Sequence, residues 1–406
     1  MQKNWLAFLA TALLFLVLGI LFCHLWLFHR HSRFRHHPPP QHAQTIPLNP
    51  GEWRFIVSGD SRNCGDVVMP AIAADSRKFA PSFYWHLGDL RAIYKTDEDM
   101  EAASANNGLI LTCDDYHRRA WPDFISNQIA PFAETPFFLG IGNHETIPPK
   151  DEDQFVSQFS GWLSTPALND QRKADGDKNP TAPKPYYHWI NRGVDFIFLD
   201  NASGAFSPEE LSWFDGVAAR AQNNDAVLSL VVGMHEALPD SISSDHAMCD
   251  KKTSDKKTND KKANDKSQAG CDSGRHVYNS LLNLQKRKPV YVLASHSHFY
   301  MNGIFNNHPP DQRLPGWIVG TAGAVRYALP HDAPADSATD VYGYLLGTAD
   351  KAGKINFAFQ KLNQDDVPDY VRQRYPAWFV PWCFAQNSQN LATKLEETTH
   401  RCPVGD

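Results

Sequence analysis

The chain has 406 residues, 42% of them hydrophobic and 21% charged, with a formal net charge of -6. That composition fits a globular protein long enough for one large core or two modest ones, and it excludes a disordered or fibrous chain. No basic stripe runs along it outside the first forty residues and one lysine-rich insert, so a nucleic-acid partner is not expected.

After a short N-terminal segment (1–4), Trp5 to Phe28 carries no charged residue. As a helix it would extend ~36 Å, more than a hydrocarbon core of ~30 Å, so 5–28 reads as a transmembrane anchor. Bulky Trp26, Leu27 and Phe28 run straight into Arg30, where a cleaved signal would need small residues. Residues 29–52, rich in Pro and His, form a linker. Orientation receives two opposing signals. Arg30, Arg33 and Arg35 outnumber Lys3 plus the terminal amine, which by the positive-inside rule leaves the large C-terminal part in the cytoplasm. The cysteines point to the other, extracytoplasmic (periplasmic) side. Six of the seven lie beyond the anchor (Cys64, Cys113, Cys249, Cys271, Cys383, Cys402), none in a zinc-like spacing, and two local pairs bracket unusual segments. We adopt the extracytoplasmic orientation.

From 53 to 362 the chain alternates short β-branched or apolar runs with helical patterns, as α/β layered domains do. The expected strands are 54–58, 83–87, 137–141, 195–199, 227–232, 290–294, 317–319, 344–347 and 355–360. Helices are expected around 116–132 and 277–286, and a third starts at Ser207-Pro208-Glu209-Glu210, where an N-cap serine, a proline and a capping-box glutamate coincide. Within the domain, 250–268 is a low-complexity insertion of repeated Asp, Lys and Asn that buries too little to fold; bracketed by Cys249 and Cys271, it reads as a loop tied at its base. Residues 363–406 form an aromatic-rich and proline-rich tail, clasped to the domain through Cys383 and Cys402.

The chemistry gathers where these strands end. Ser58-Gly59-Asp60-Ser61-Arg62 follows the first strand and Gly88-Asp89 the second. Gly142-Asn143-His144-Glu145 follows the third, Gly233-Met234-His235 the fifth, and Ser295-His296-Ser297-His298 the sixth. In α/β sheets the ligand crevice lies outside the carboxyl ends of the strands, so these blocks are expected to converge. If the chain stays extended, His296 and His298 face the same side.

This ordered series resembles the calcineurin-like metallophosphoesterases, with their GD, GD, GNH(D/E), H and GHxH blocks, over about residues 53–362. The filler Tyr187-His188-Trp189 to Asp200-Asn201 and Tyr300 after the last block resemble the purple-acid-phosphatase-like branch. The resemblance implies a four-layer α/β/β/α sandwich of two mixed sheets and a phosphoric ester hydrolase with two metal ions, Fe, Mn or Zn. It implies that Asp60 and His298 hold the first ion, that Asn143, His235 and His296 hold the second, and that Asp89 bridges them. A hydroxide held between the ions attacks phosphorus. His144 is then the acid for the leaving oxygen, with Glu145 orienting it.

Three departures stand out. Arg62 occupies a place where the family commonly has a histidine ligand, Ser295 replaces a glycine, and Ala92 stands where purple acid phosphatases have a tyrosine ligand, with Tyr94 two residues on. The first ion is therefore short of a ligand or takes an additional water. Arg62, a forked cation, suits a grip on substrate phosphate. The leading reading is a membrane-tethered phosphatase. A phosphodiesterase or nuclease on the same site, and a non-catalytic binding protein on the same fold, are the alternatives. No protein partner can be inferred.

Overall fold

Aromatic side chains at alternate strand positions build the centre of the molecule. In the structure, a computed structural model, residues 45–243, 246–249, 261–385 and 401–402 are described. The expected anchor at 5–28 and the linker up to residue 44 lie outside them. Among the described residues, no helix is long and apolar enough to cross a membrane.

The first sheet has five strands in the order β11-β10-β1-β2-β3: β1 Trp53–Ser58, β2 Tyr84–His86, β3 Phe137–Leu139, β10 Tyr342–Ala349 and β11 Ile355–Leu362. The second has six, in the order β4-β5-β6-β7-β9-β8: β4 Tyr187–Asn191, β5 Val194–Leu199, β6 Ser229–Met234, β7 Val290–Ala294, β8 Tyr300–Asn302 and β9 Gly316–Val319. Both are mixed. β1, β2 and β3 run parallel, as do β5, β6, β7 and β9, whereas β10, β11, β4 and β8 pair antiparallel.

The strand pleat explains how two sheets share one core. Phe55 of β1 meets Phe196 of β5 edge to face at 4.9 Å, and Trp85 of β2 meets Trp189 of β4 in the same manner at 5.4 Å. Phe138 stacks on Trp189 at 3.9 Å, so the seam between the sheets is largely aromatic. The intervening residues Ile197, Leu199 and Val232 face outward and pack with Phe214 and Val217 of helix Pro208–Asn223 and with Val277 and Leu281 of helix Lys261–Gln285. Both faces of the sheet are buried, so β5 and β6 read as nearly continuous apolar runs. The result is two mixed sheets flanked by helices, as expected.

Several local features differ from the sequence reading. β4 and β8 were not expected, because His188 and the short Tyr-Met-Asn run interrupt a simple apolar pattern; pairing with β5 and β9 makes them strands. Ser207 caps its helix by accepting from the Glu210 N–H, but the Glu210 carboxylate accepts from the Asp200 N–H, so the reciprocal half of the capping box is absent. The end of the low-complexity insertion is helical: one helix runs from Lys261 to Gln285, and residues 251–260 lie outside the described part. Its Lys and Ala are good helix formers, and the disulfide Cys249–Cys271 holds its base as expected. Cys383 and Cys402 do not pair locally. They join Cys64 and Cys113, and the described parts of the tail, 363–385 and 401–402, belong to the same compact unit as the rest of the domain.

Candidate metal centre

Register brings the site together. Ser58, His86 and Leu139 end β1, β2 and β3 level with one another, and Gly233 of β6 lies beside Leu293 of β7, so five strand exits open at one end of the two sheets. At three of them the chain turns through a left-handed residue that is itself a site residue: Asp60 (φ 60°), Asp89 (φ 59°) and His296 (φ 64°). Non-glycine residues adopt that conformation at a cost, and it persists where surroundings enforce it. Here it swings the side chain out of the pleat. His296 and His298 therefore do not share a face by extension. β7 ends at Ala294, short turns follow, and the two histidines go to opposite sides of Asp89.

Asp89 belongs to two buried groups, one with His235 and His296 and one with Asp60 and His298, each with its ligand atoms within 4.8 Å of one another. Asn143 joins the first group through Oδ1, 3.0 Å from His235 Nε2. All eight residues singled out from the sequence lie at this one place, with Arg62 and His144 flanking Asp89: Arg62 Nε is 3.9 Å and His144 Nε2 3.5 Å from Asp89 Oδ2.

The donor set fits a cation. His235 Nδ1 lies 3.0 Å from the Leu87 carbonyl, which can only accept, so Nδ1 carries the hydrogen and Nε2 presents a lone pair. That lone pair faces Asp89 Oδ1 at 3.2 Å, Asn143 Oδ1 at 3.0 Å and His296 Nδ1 at 3.0 Å. Electron pairs so gathered repel unless positive charge lies among them. A proton on Nε2 is one such charge: burial pulls the His235 imidazole down, but Asp89 and then Asp60 carry it up to about 10, and an ion bound there would take that proton's place. Burial raises Asp60 to about 6 against the nearby His235 and Arg62 charges. Asp60 Oδ1 and Asp89 Oδ2 are buried with no hydrogen-bond partner among the described residues. Mixed nitrogen and oxygen donors of this kind suit Fe, Mn or Zn.

The surrounding residues depart from expectation in one respect. Glu145 does not orient His144. Its carboxylate accepts from the backbone N–H groups of Asp89, Leu90 and Gly142 at 2.8–2.9 Å, tying the β2 and β3 exits together. The partner that fixes His144 is the Ala92 carbonyl, 2.6 Å from Nδ1. Gly142 explains the glycine: a Cβ there would lie 2.4 Å from Asp89 Oδ1.

Sequence reasoning missed two supports, Tyr327 and Arg91, and noted Tyr94 only as standing near the place of a tyrosine ligand. Tyr327 stacks on His298 at 4.0 Å and receives Arg62 Nη2 at 3.4 Å; it lies in the 300–340 region, where nothing in the local pattern marks it. The Tyr94 ring lies 5.4 Å from His144. Fully buried Arg91, two residues after Asp89, binds Asp66, Asp99 and Asp123 and anchors the loop beneath the site. An arginine so close to a Gly-Asp block was the one available signal.

No family model and no curated protein matches the chain. Among solved structures it is similar to the purple acid phosphatase PPD1 from yellow lupin (Lupinus luteus) seeds, with 14% identity and a TM-score of 0.51 over 79% of this chain and 53% of that one. This chain has the calcineurin-like metallophosphoesterase fold. It spans about half the length of the lupin enzyme. It is also similar to PhoD, at 13% identity and a TM-score of 0.45 over 86% of this chain and 78% of that one. A third similar structure, the 5'-nucleotidase from Candida albicans, has 12% identity and a TM-score of 0.39 over 87% of this chain and 59% of that one. At these identities the likeness concerns the metallophosphoesterase fold alone.

Proposed function

We propose that the protein hydrolyses phosphate esters at a dinuclear metal centre, with Asp89 shared between two ions. The observation that carries this reading is the double membership of Asp89, which belongs to two groups of buried ligand atoms, one with His235 and His296 and one with Asp60 and His298. Asn143, His235 and His296 would hold one ion, and Asp60 and His298 the other. Ions so held would supply Lewis-acid polarisation of a phosphoryl oxygen and would lower the pKa of a bound water toward neutrality.

The protein's own groups then have distinct tasks. Arg62 offers its guanidinium to the phosphate beside Asp89. His144 gives its Nδ1 hydrogen to Ala92, so Nε2 can carry a proton only in the imidazolium. Burial and then Arg62 hold that form down, to a pKa of about 3, while Asp89 favours it. An incoming phosphate anion adds to the favourable side, which links protonation of the acid to substrate binding. Tyr94 lies beside His144, and Tyr327 beside His298 and Arg62.

The decisive experiment is a screen of the metal-reconstituted full chain against mono- and diesters, with Asp89→Ala beside it. Loss of both bound metal and hydrolysis is expected in the variant, and normal metal content with near-wild-type turnover would end the dinuclear reading.

We propose further that residues 5–28 anchor the chain in a membrane with the hydrolase domain on the extracytoplasmic, periplasmic side. The apolar run supports the anchor, and three disulfides, typical of oxidising compartments, support the side. Carbonate extraction followed by protease protection tests both.

A further inference from the structure

We infer that Arg62 is a built-in competitor for one of the two ions, so that the positions load unequally and phosphate governs the second. This rests on the reading of the site as a metal centre.

His298 Nδ1 is hydrogen-bonded to the Val325 carbonyl, an acceptor, which leaves the Nε2 lone pair as its one means of binding a metal. That lone pair is already engaged: Arg62 Nη2 donates to it at 2.9 Å. The same guanidinium faces Asp89 Oδ2 through Nε at 3.9 Å. It therefore lies among the donor atoms of the Asp60–Asp89–His298 position. It does not saturate them, since Arg62 Nε, Asp60 Oδ1 and Asp89 Oδ2 are all buried without a hydrogen-bond partner among the described residues. An ion could enter only by displacing the Nη2 bond and by bearing a permanent positive charge a few ångströms away in a buried site, where screening is weak.

On the Asn143–His235–His296 side, among the described residues, no guanidinium or ammonium group lies between the donors: His235 Nε2 faces Asp89 Oδ1, Asn143 Oδ1 and His296 Nδ1, and an ion there would displace no fixed cation. Tyr327 gives the guanidinium a neighbouring resting place, since its hydroxyl is already 3.4 Å from Nη2. A phosphate entering beside Asp89 would draw Arg62 toward its own oxygens and free His298 Nε2. Binding of the anion and of the second ion would then favour each other.

The test is a titration of the detergent-solubilised, metal-stripped full chain with Mn²⁺, followed by elemental analysis and by electron paramagnetic resonance. The wild type should hold one ion tightly and give an uncoupled spectrum, with the second ion at least tenfold weaker. In Arg62→Met and Arg62→His the second ion should tighten by tenfold or more and the spectrum should show exchange coupling. Arg62→Lys, which keeps the charge, should resemble the wild type, and circular dichroism checks that each variant is folded. Inorganic phosphate should tighten the second ion in the wild type and not in Arg62→Met. Two ions of equal affinity in the wild type, or an unchanged second affinity in folded Arg62→Met and Arg62→His, would overturn the inference and leave the metal centre standing. No bound ion in any variant would overturn the metal centre and the inference together.

Discussion

Asp89 and His144 lie 3.5 Å apart, yet their proposed tasks separate cleanly in experiment. On the proposed reading the ions would generate the nucleophile and His144 would protonate the leaving oxygen. His144→Ala should keep its metal while slowing hydrolysis of an alkyl phosphate by about 10²–10⁴-fold, the usual worth of general acid catalysis. A nitrophenyl phosphate, whose leaving group needs no proton, should lose far less. Equal losses on both substrates, measured as kcat, would instead make His144 a positioning residue. Gly142 offers a second test at the same scale. Its φ of -120° suits any residue, so Gly142→Ala acts through space alone, with the new methyl 2.4 Å from both the backbone N and Oδ1 of Asp89 and 2.9 Å from His235 Cε1. The chain should still fold, with bound metal reduced tenfold or more by elemental analysis.

Two buried ion networks fix the elements that carry the site. Arg91 holds the β2 exit loop to Asp66 and Asn127's neighbour Gln128 shares that same carboxylate, while Asp99 at the start of helix Glu98–Asn106 takes the other guanidinium nitrogen. Arg91→Met would leave these carboxylates buried without their cation and should cost about 3–5 kcal/mol in denaturant unfolding, the penalty for breaking one side of a buried pair. The second network joins β4 and β5 to the end of helix Pro166–Ala174 through His188, which lies between Asp175 at 2.5 Å and Asp195 at 2.9 Å. Burial lowers this imidazole, but the two carboxylates prevail and raise it to about 9. A group raised above its unfolded value of ~6.5 contributes its stability fully below that pH and loses it as pH climbs through the folded value. The gap in Tm between wild type and His188→Gln should therefore be widest near pH 6 and close as pH rises past about 9. A gap that grows with pH would mean that His188 is neutral in the fold.

At the scale of the molecule, two disulfides bind the tail across nearly the whole chain. Cys64–Cys383 and Cys113–Cys402 close sequence separations of 319 and 289 residues. Loop entropy assigns such a crosslink roughly 5 kcal/mol, and because the two loops overlap their effects should not add. Non-reducing peptide mapping should find these pairs together with Cys249–Cys271. Replacing both Cys64 and Cys383 by serine should lower Tm by several degrees, and an unchanged Tm would count against the crosslink. Cys64 immediately precedes helix Gly65–Ser76, and the Cys402 N–H bonds to the Tyr94 carbonyl, so both links reach loops that border the site.

Much of the fold was legible because it is written in local terms. A strand buried on both faces shows as an apolar run, and a Gly-Asp or Gly-Asn-His block at its end shows where the strand exits gather; from these, the two-sheet α/β class followed, together with the eight candidate residues that the fold brings to one place. What the sequence could not carry was anything decided by residues distant along the chain. β4 and β8 exist through their partners, and Cys383 and Cys402 found Cys64 and Cys113 because folding, not spacing, brought them within reach. The split of His296 and His298 between the two sides of Asp89 arises from a left-handed turn that no periodicity encodes. Nor did any pattern reveal that Arg62, 236 residues from His298, would take the lone pair an ion needs. The identities of the chemical groups were determined by sequence; which group faces which was decided by tertiary packing, because lone-pair directions are fixed only when neighbouring carbonyls claim the opposite ring nitrogen.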